Sequence, residues 1–204
     1  QDGAPDTITG LGLSDVASTT VGGTTFTWTA ATRQLTVKHT YTDDNPTGTA
    51  SDIKAVTLTP HDDDLGIGTT QTVNVTVNNV TPSLMLLLPA SIAVDATATL
   101  TGSFTDIGVS DTHTLVVDWG DSTNDSTFAI AATSGLLAAQ TFSSSTDSAT
   151  LTIVSANTTT GEVTFSVQHQ YTSADIYSIT SILDDDDLGT DTDSVSITVE
   201  NLEM

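Results

Sequence analysis

Residues 183–194 read Leu-Asp-Asp-Asp-Asp-Leu-Gly-Thr-Asp-Thr-Asp-Ser, the densest run of potential ligands in the chain. Asp184, Asp185, Asp186 and Asp187 are consecutive carboxylates, with Asp191 and Asp193 close behind. Neighbouring like charges repel even at physiological salt, where the screening length is about 8 Å. Either water disperses this charge on a solvated acidic face, or a cation neutralises it. An all-oxygen donor set suits a hard divalent ion such as calcium, which takes about six to eight oxygen ligands. Zinc fits poorly, because the chain has no cysteine and its four histidines are scattered. The run is not an EF-hand: Gly189 stands at the wrong offset and no Glu closes a twelve-residue loop. A second acidic run, Asp62, Asp63 and Asp64, sits in "HDDDLG" (61–66) and is the same kind of candidate.

The two runs belong to a repeat. "VKHTYTD" (37–43) answers "VQHQYTS" (167–173), "DIKAVTLTPHDDDLG" (52–66) answers "DIYSITSILDDDDLG" (175–189), and "VNVTVNNV" (73–80) answers "VSITVENL" (195–202). The order is the same each time, and the spacing drifts only through short insertions such as "NPTGTAS" (45–51). One copy ends at Asn78–Pro82 and the next begins there. Residues 1–80 therefore read as an incomplete repeat without its first strands, and 81–204 as a complete one. Residue 1 lies mid-repeat, so the chain reads as a fragment, a processed product, or a module completed by strands from elsewhere.

Composition says what positions these carboxylates. Acidic residues number 26 against 3 basic, and the net charge is −23. Disordered acidic chains are poor in apolar residues, whereas this one is 37% hydrophobic and roughly a fifth threonine, well above ordinary usage. Thr, Val and Ile in runs, with Asp between them, is a β-protein composition. Segments 96–104, 113–119, 149–156, 163–171, 176–182 and 194–200 alternate or carry β-branched runs, and "NTTTG" (157–161) is a hairpin turn. Only 129–140 admits a helical turn. Short strands at this interval predict an antiparallel sandwich or barrel. Arg33, Lys38 and Lys54 cannot neutralise a phosphate backbone, which excludes nucleic acid and disfavours anionic membrane surfaces. The greasiest run, Leu84–Leu88, is cut by Pro89, too short for membrane insertion.

Strand parity then gathers the acids. If the strand near 84–88 runs away from the linker, 96–104 returns and brings Asp106 and Asp111 to the linker pole. The last strand must leave at the far pole, so 176–182 also runs toward the linker and delivers Asp184–Asp187 there. Asn79 in the linker joins them. Asp106, Asp111, the four consecutive Asp, Asp191 and Asp193 are expected in one rim with calcium at the junction. Extracellular calcium modules bind at about 0.1–1 mM. At about 1 mM calcium and the tight end of that range, one site contributes about 1.4 kcal/mol.

"VVDWGDS" (116–122), His169 and Tyr171, "IYSITSILDDDDLG" (176–189), "VSITVEN" (195–201) and "FTDIGVSDTH" (104–113) together resemble the PKD (polycystic kidney disease) domain. They are most similar to the variant strung in arrays along large bacterial surface proteins. The resemblance covers essentially all of 81–204 and the later part of a repeat within 1–80; Ser122 departs from the usual glycine. It implies tandem immunoglobulin-like antiparallel β-sandwiches, an extracellular or cell-surface setting in a prokaryote, no catalysis, and calcium in some members. The function expected is a structural stalk, spacer or surface-lattice module. Its partners would be neighbouring repeats or identical chains, meeting through domain ends and an open edge in the first repeat.

Other chemistry has little support in the sequence. No "GxSxG" or oxyanion loop marks a nucleophile. A glycosidase pair of carboxylates needs a cleft lined by aromatics, and only 5% of residues are aromatic. His39 and His169 each stand two residues before a Tyr and read as structural hydrogen-bonding residues; His61 and His113 read as minor ligands at most. The alternative function is an adhesin or accessory module binding a glycan or a surface protein, with Trp28, Tyr177 or Phe142 on one exposed face.

Overall fold

The computed structural model describes residues 16–21, 23–44 and 48–201. Their regular structure is all strand apart from a single 3-10 turn, Thr133–Gly135, inside the segment whose pattern admits one. The chain divides into two compact units, one of Gln1–Tyr41 and Ile53–Val75, the other of Thr42–Asp52 and Thr76–Met204.

In the first unit, β1 (Val16–Val21), β2 (Thr24–Thr29) and β3 (Gln34–Lys38) form an antiparallel meander. β4 (Ser51–Leu58) and β5 (Gln71–Asn78) form a separate two-stranded ribbon. Alternation puts Val56 and Leu58 on one face of β4, and Val73 and Val75 on one face of β5. All four are exposed.

The second unit is an antiparallel β-sandwich. One sheet has the order β10 (Ser126–Ile130), β9 (His113–Asp118), β14 (Asp175–Asp185), β15 (Thr190–Glu200), β7 (Ser91–Ala93). The other has β11 (Thr141–Ser143), β12 (Thr150–Asn157), β13 (Glu162–Gln170), β8 (Thr97–Thr105), β6 (Ser83–Leu87). Every pairing is antiparallel except that of β15 with the short β7. Period-two alternation turns Leu100 and Phe104 of β8, Phe165 and Val167 of β13, Leu115 and Val117 of β9, and Ile179 and Leu183 of β14 into one buried cluster. Each such side chain contributes about 1.5–3 kcal/mol by leaving water. Trp119 is buried, and the Tyr171 hydroxyl donates to its carbonyl at 3.0 Å.

The acidic run is not the loop that its charge density suggests. β14 continues through Asp184 and Asp185, and β15 resumes at Thr190, so only residues 186–189 make the turn. Strand hydrogen bonding carries straight through the carboxylates because alternation sends successive ones to opposite faces. Two expected members of the rim are therefore elsewhere. Asp191 and Asp193 lie on β15, and their Oδ2 atoms accept the backbone N–H groups of Leu84 (2.7 Å) and Leu86 (2.8 Å). β6 is an edge strand whose other side pairs with β8. The two carboxylates thus satisfy edge donors that no strand takes, and they fasten one sheet to the other.

Replacing Asp191 and Asp193 together by Ala leaves those two amides without acceptors. Each is expected to cost about 1–3 kcal/mol, read as a lower urea midpoint at unchanged slope; an unchanged midpoint would show that water replaces them freely.

Candidate metal centre

The centre begins with β14 parity. Tyr177, Ile179, Ser181, Leu183 and Asp185 are the buried row of the strand, so Asp185 is the position where the core face reaches the pole. Its Oδ1 accepts the N–H groups of Asp187 (2.9 Å) and Gly189 (2.6 Å), and its own N–H donates to the Gly189 carbonyl (2.9 Å). Leu188 takes a left-handed φ of 72° to close this turn. A Cβ on Gly189 would overlap Asp185 Oδ2, so the approach needs glycine. The turn points Asp187 inward, where it is fully buried.

Two further segments arrive as strand parity requires. Ser83 of β6 pairs with Thr105 of β8, which places the loop after β8 at the linker end. Asp185 pairs with His113 of β9. Asp106 is buried, with Oδ1 accepting the Gly108 N–H (2.9 Å) and Oδ2 bonded to His113 Nε2 (3.0 Å). Its backbone is clasped by the β12–β13 turn: Asp106 N–H donates to the Gly161 carbonyl at 3.1 Å. Gly161, at φ 75°, has no room for a Cβ against the Asp106 carbonyl. From the linker, Asn79 Nδ2 donates to Asp185 Oδ2 at 2.8 Å and to the Asp187 carbonyl at 3.2 Å.

Ligand oxygens form three mutually close sets among the described residues, each spanning at most 4.8 Å: Asp106, Asp111 and Asp185; Asp111, Asp186 and Asp187; Asp43, Asp44 and Asp187. Calcium–oxygen distances of about 2.3–2.6 Å put ligands on opposite sides of an ion about 5 Å apart, so each set is the right size. The first set has other employment, since Asp106 and Asp185 already hold N–H donors on both oxygens. The other two are different. Asp187 Oδ2 and Asp44 Oδ2 are buried and accept no hydrogen bond, although Asp187 Oδ1 takes the Gly48 N–H at 2.7 Å. Buried carboxylate oxygens without a partner are costly. Asp186 holds the Thr112 N–H on Oδ1 at 2.9 Å.

The electrostatics follow from crowding. Burial first, then the charges of Asp106, Asp43, Asp186 and Asp187, push the Asp111 carboxyl up to about 8. Burial also raises Asp187 to about 6, with Asp44 and Asp186 adding to the rise and the Gly48 N–H opposing it. Both shifts are the mark of a carboxylate site that lacks positive charge.

Of the residues singled out from sequence, Asn79, Asp106, Asp111, Asp185, Asp186 and Asp187 are brought together. Asp184 is not: it lies on the opposite face of β14 and its Oδ1 accepts the Thr190 hydroxyl at 2.7 Å. Asp62, Asp63 and Asp64 stay exposed and join none of the three sets. Their turn nevertheless matches its counterpart: Asp62 Oδ1 accepts from Asp64 N–H (3.1 Å) and Gly66 N–H (2.5 Å), and Leu65 has φ 69°. Asp43 and Asp44 escaped the sequence reading. The available signal was that "TDDNPTGTASD" departs from its counterpart "TSAD" in both charge and length.

The remaining candidates have structural positions. His169 stacks on Trp119 at 4.5 Å and bonds Asp121 at 2.8 Å, while His39 bonds the Thr24 hydroxyl at 3.0 Å. Tyr177 is buried against Tyr171, and Phe142 packs on the core, so neither ring offers an exposed platform.

No family model matches the chain, and no match is found among curated proteins. Among solved structures, domains 4 and 5 of the S-layer protein SbsC are similar over 89% of this chain and 92% of that chain, at 16% identity and a TM-score of 0.29. A likeness at that level carries no argument about fold or function.

Raised carboxyls mean that the folded chain holds protons on Asp111 and Asp187 more tightly than the unfolded chain does. Their stabilisation is present below the ordinary carboxylate range and is lost as pH rises through about 6 and then about 8. In a chelator, melting should fall between about pH 5 and about pH 9, and calcium should reduce the fall because it takes the place of the protons. Asp111→Asn should flatten the chelator profile; a wild-type profile already flat would remove these groups from the linkage.

Proposed function

We propose that the chain is a non-catalytic structural module of a large exported surface protein, built from PKD-like, immunoglobulin-type repeats and stiffened by calcium at the pole where one repeat follows another. The observation that carries this reading is the buried Asp187, whose Oδ2 accepts no hydrogen bond and whose carboxylate belongs to one close set with Asp111 and Asp186. A site of oxygens alone, with its carboxyls raised by one another, is the chemistry of a hard divalent cation. Asn79 ties the segment entering the second repeat to the same turn. Filling the site therefore stiffens the chain where the two repeats are covalently joined. Repeat order and the prevalence of Asp over basic residues support an extracellular stalk, spacer or lattice unit.

The partner surface in this reading is the first repeat. Val56, Leu58, Val73 and Val75 correspond in the repeat to Ile179, Ser181, Val195 and Ile197, which face the opposing sheet of the second sandwich. A neighbouring repeat or an identical chain covers this exposed apolar face, by strand addition or by packing against it. Val73→Asp should weaken concentration-dependent association in sedimentation by at least tenfold; a wild type that stays monomeric at high concentration removes this partner.

Calcium at about 1 mM should raise the melting temperature over the chelated form by several degrees, given about 1.4 kcal/mol per site and the entropy of unfolding of a chain this size. Small-angle scattering should show a narrower range of solution shapes. Asp187→Asn should lose both effects. If chelation changes neither melting nor scattering, calcium has no part in the function.

A further inference from the structure

We infer that the centre holds two divalent cations bridged by Asp187, and that the second, between Asp43, Asp44 and Asp187, clamps Asp43, Asp44 and Gly48 onto the β14–β15 turn. This rests on the calcium reading above and adds a second position with its own ligands and task.

The geometry argues for two ions. Asp43, Asp44, Asp111, Asp186 and Asp187 do not make one set of mutually close oxygens; they make two sets that share only Asp187. Each set is the size of one calcium shell, about 5 Å across, so each frames a position of its own. Asp44 adds an independent observation. It is almost wholly buried, and its Oδ2 accepts no hydrogen bond, as is true of Asp187 Oδ2. An ion among Asp111, Asp186 and Asp187 alone leaves the Asp44 oxygen as it is. Charge points the same way: five carboxylates carry −5, one divalent ion leaves −3, and two leave −1. A bridging carboxylate holding one ion on each side is an arrangement that brings this much negative charge close to balance.

The clamp has a structural logic. Residues 45–51 are the insertion that distinguishes the first repeat from the second, and the acid pair immediately precedes it. Beyond the insertion's start, the Gly48 N–H reaches both Asp187 Oδ1 (2.7 Å) and the Asp186 carbonyl (2.8 Å). Gly48 is thus fastened to the turn by its amide, and the second ion would fasten Asp43 and Asp44 there too. In the second repeat Ser173 and Ala174 stand where Asp43 and Asp44 stand in the first, and the insertion is missing. That repeat cannot form the same clamp, so the device is specific to this junction.

Native mass spectrometry and calorimetry of the whole chain, stripped with a chelator and titrated with calcium, test the inference. The expected count is two ions for the wild type, one for Asp44→Asn, one for Asp186→Asn and none for Asp187→Asn. Asp63→Asn with Asp64→Asn should leave two, and a drop there places an ion elsewhere and overturns the assignment. Calcium should slow hydrogen exchange at Gly48 at least tenfold in the wild type and in Asp186→Asn, but not in Asp44→Asn. That exchange measurement, made beside a near-ultraviolet spectrum of each variant, separates a lost clamp from a misfolded chain. One ion in the wild type that survives Asp44→Asn overturns the second position and leaves the calcium reading intact. No ion at all sinks both.

Discussion

Carboxylates crowded at one end of a sandwich are the constraint around which the pole is arranged. Each acid there either finds N–H donors or raises its neighbours' proton affinity, and the fold supplies donors to some and withholds them from others. Asp185 takes two backbone amides and the Asn79 amide; Asp106 takes Gly108 and His113. These two behave as internal caps that hold the turn and the loop after β8 in place. Asp187 and Asp44 keep an oxygen each in reserve. The division between anchoring and reserved carboxylates is what would let the pole hold an ion.

The same residue type does a third job on β15. Asp191 and Asp193 satisfy amides of the edge strand β6 and spend their charge on the fold. The acids of the pole and of β15 thus include edge satisfiers, turn anchors and a cluster that could hold an ion. Only the last is left short of positive charge, as the upward displacement of Asp111 and Asp187 indicates.

How far the sequence could be read differs between these populations. Alternation and the repeat specified the strands of the second sandwich and the pole to which each loop returns, because strand direction in an antiparallel sandwich follows from counting. The ends of β14 and β15 were not legible. Four consecutive aspartates look like a loop to any argument based on charge, yet main-chain pairing continues through Asp185 because alternate carboxylates leave the crowded face. The exclusion of Asp184 from the cluster follows from the same alternation.

The paired turns at Asp62–Gly66 and Asp185–Gly189 separate local determination from tertiary decision most cleanly. Both fold alike, with the first Asp accepting two amides and the Leu in a left-handed conformation, since those interactions lie within five residues. Composition, repeat and turn geometry were thus set by the sequence itself. What Asp187 can do, and Asp64 cannot, depends on Asp111, Asp44 and Asn79, which arrive from 76 or more residues away and bury it. The sequence by itself determined where carboxylates would turn the chain; only the packing of distant segments decided which of them lost their water, and a carboxylate needs a cation only where water has been taken away.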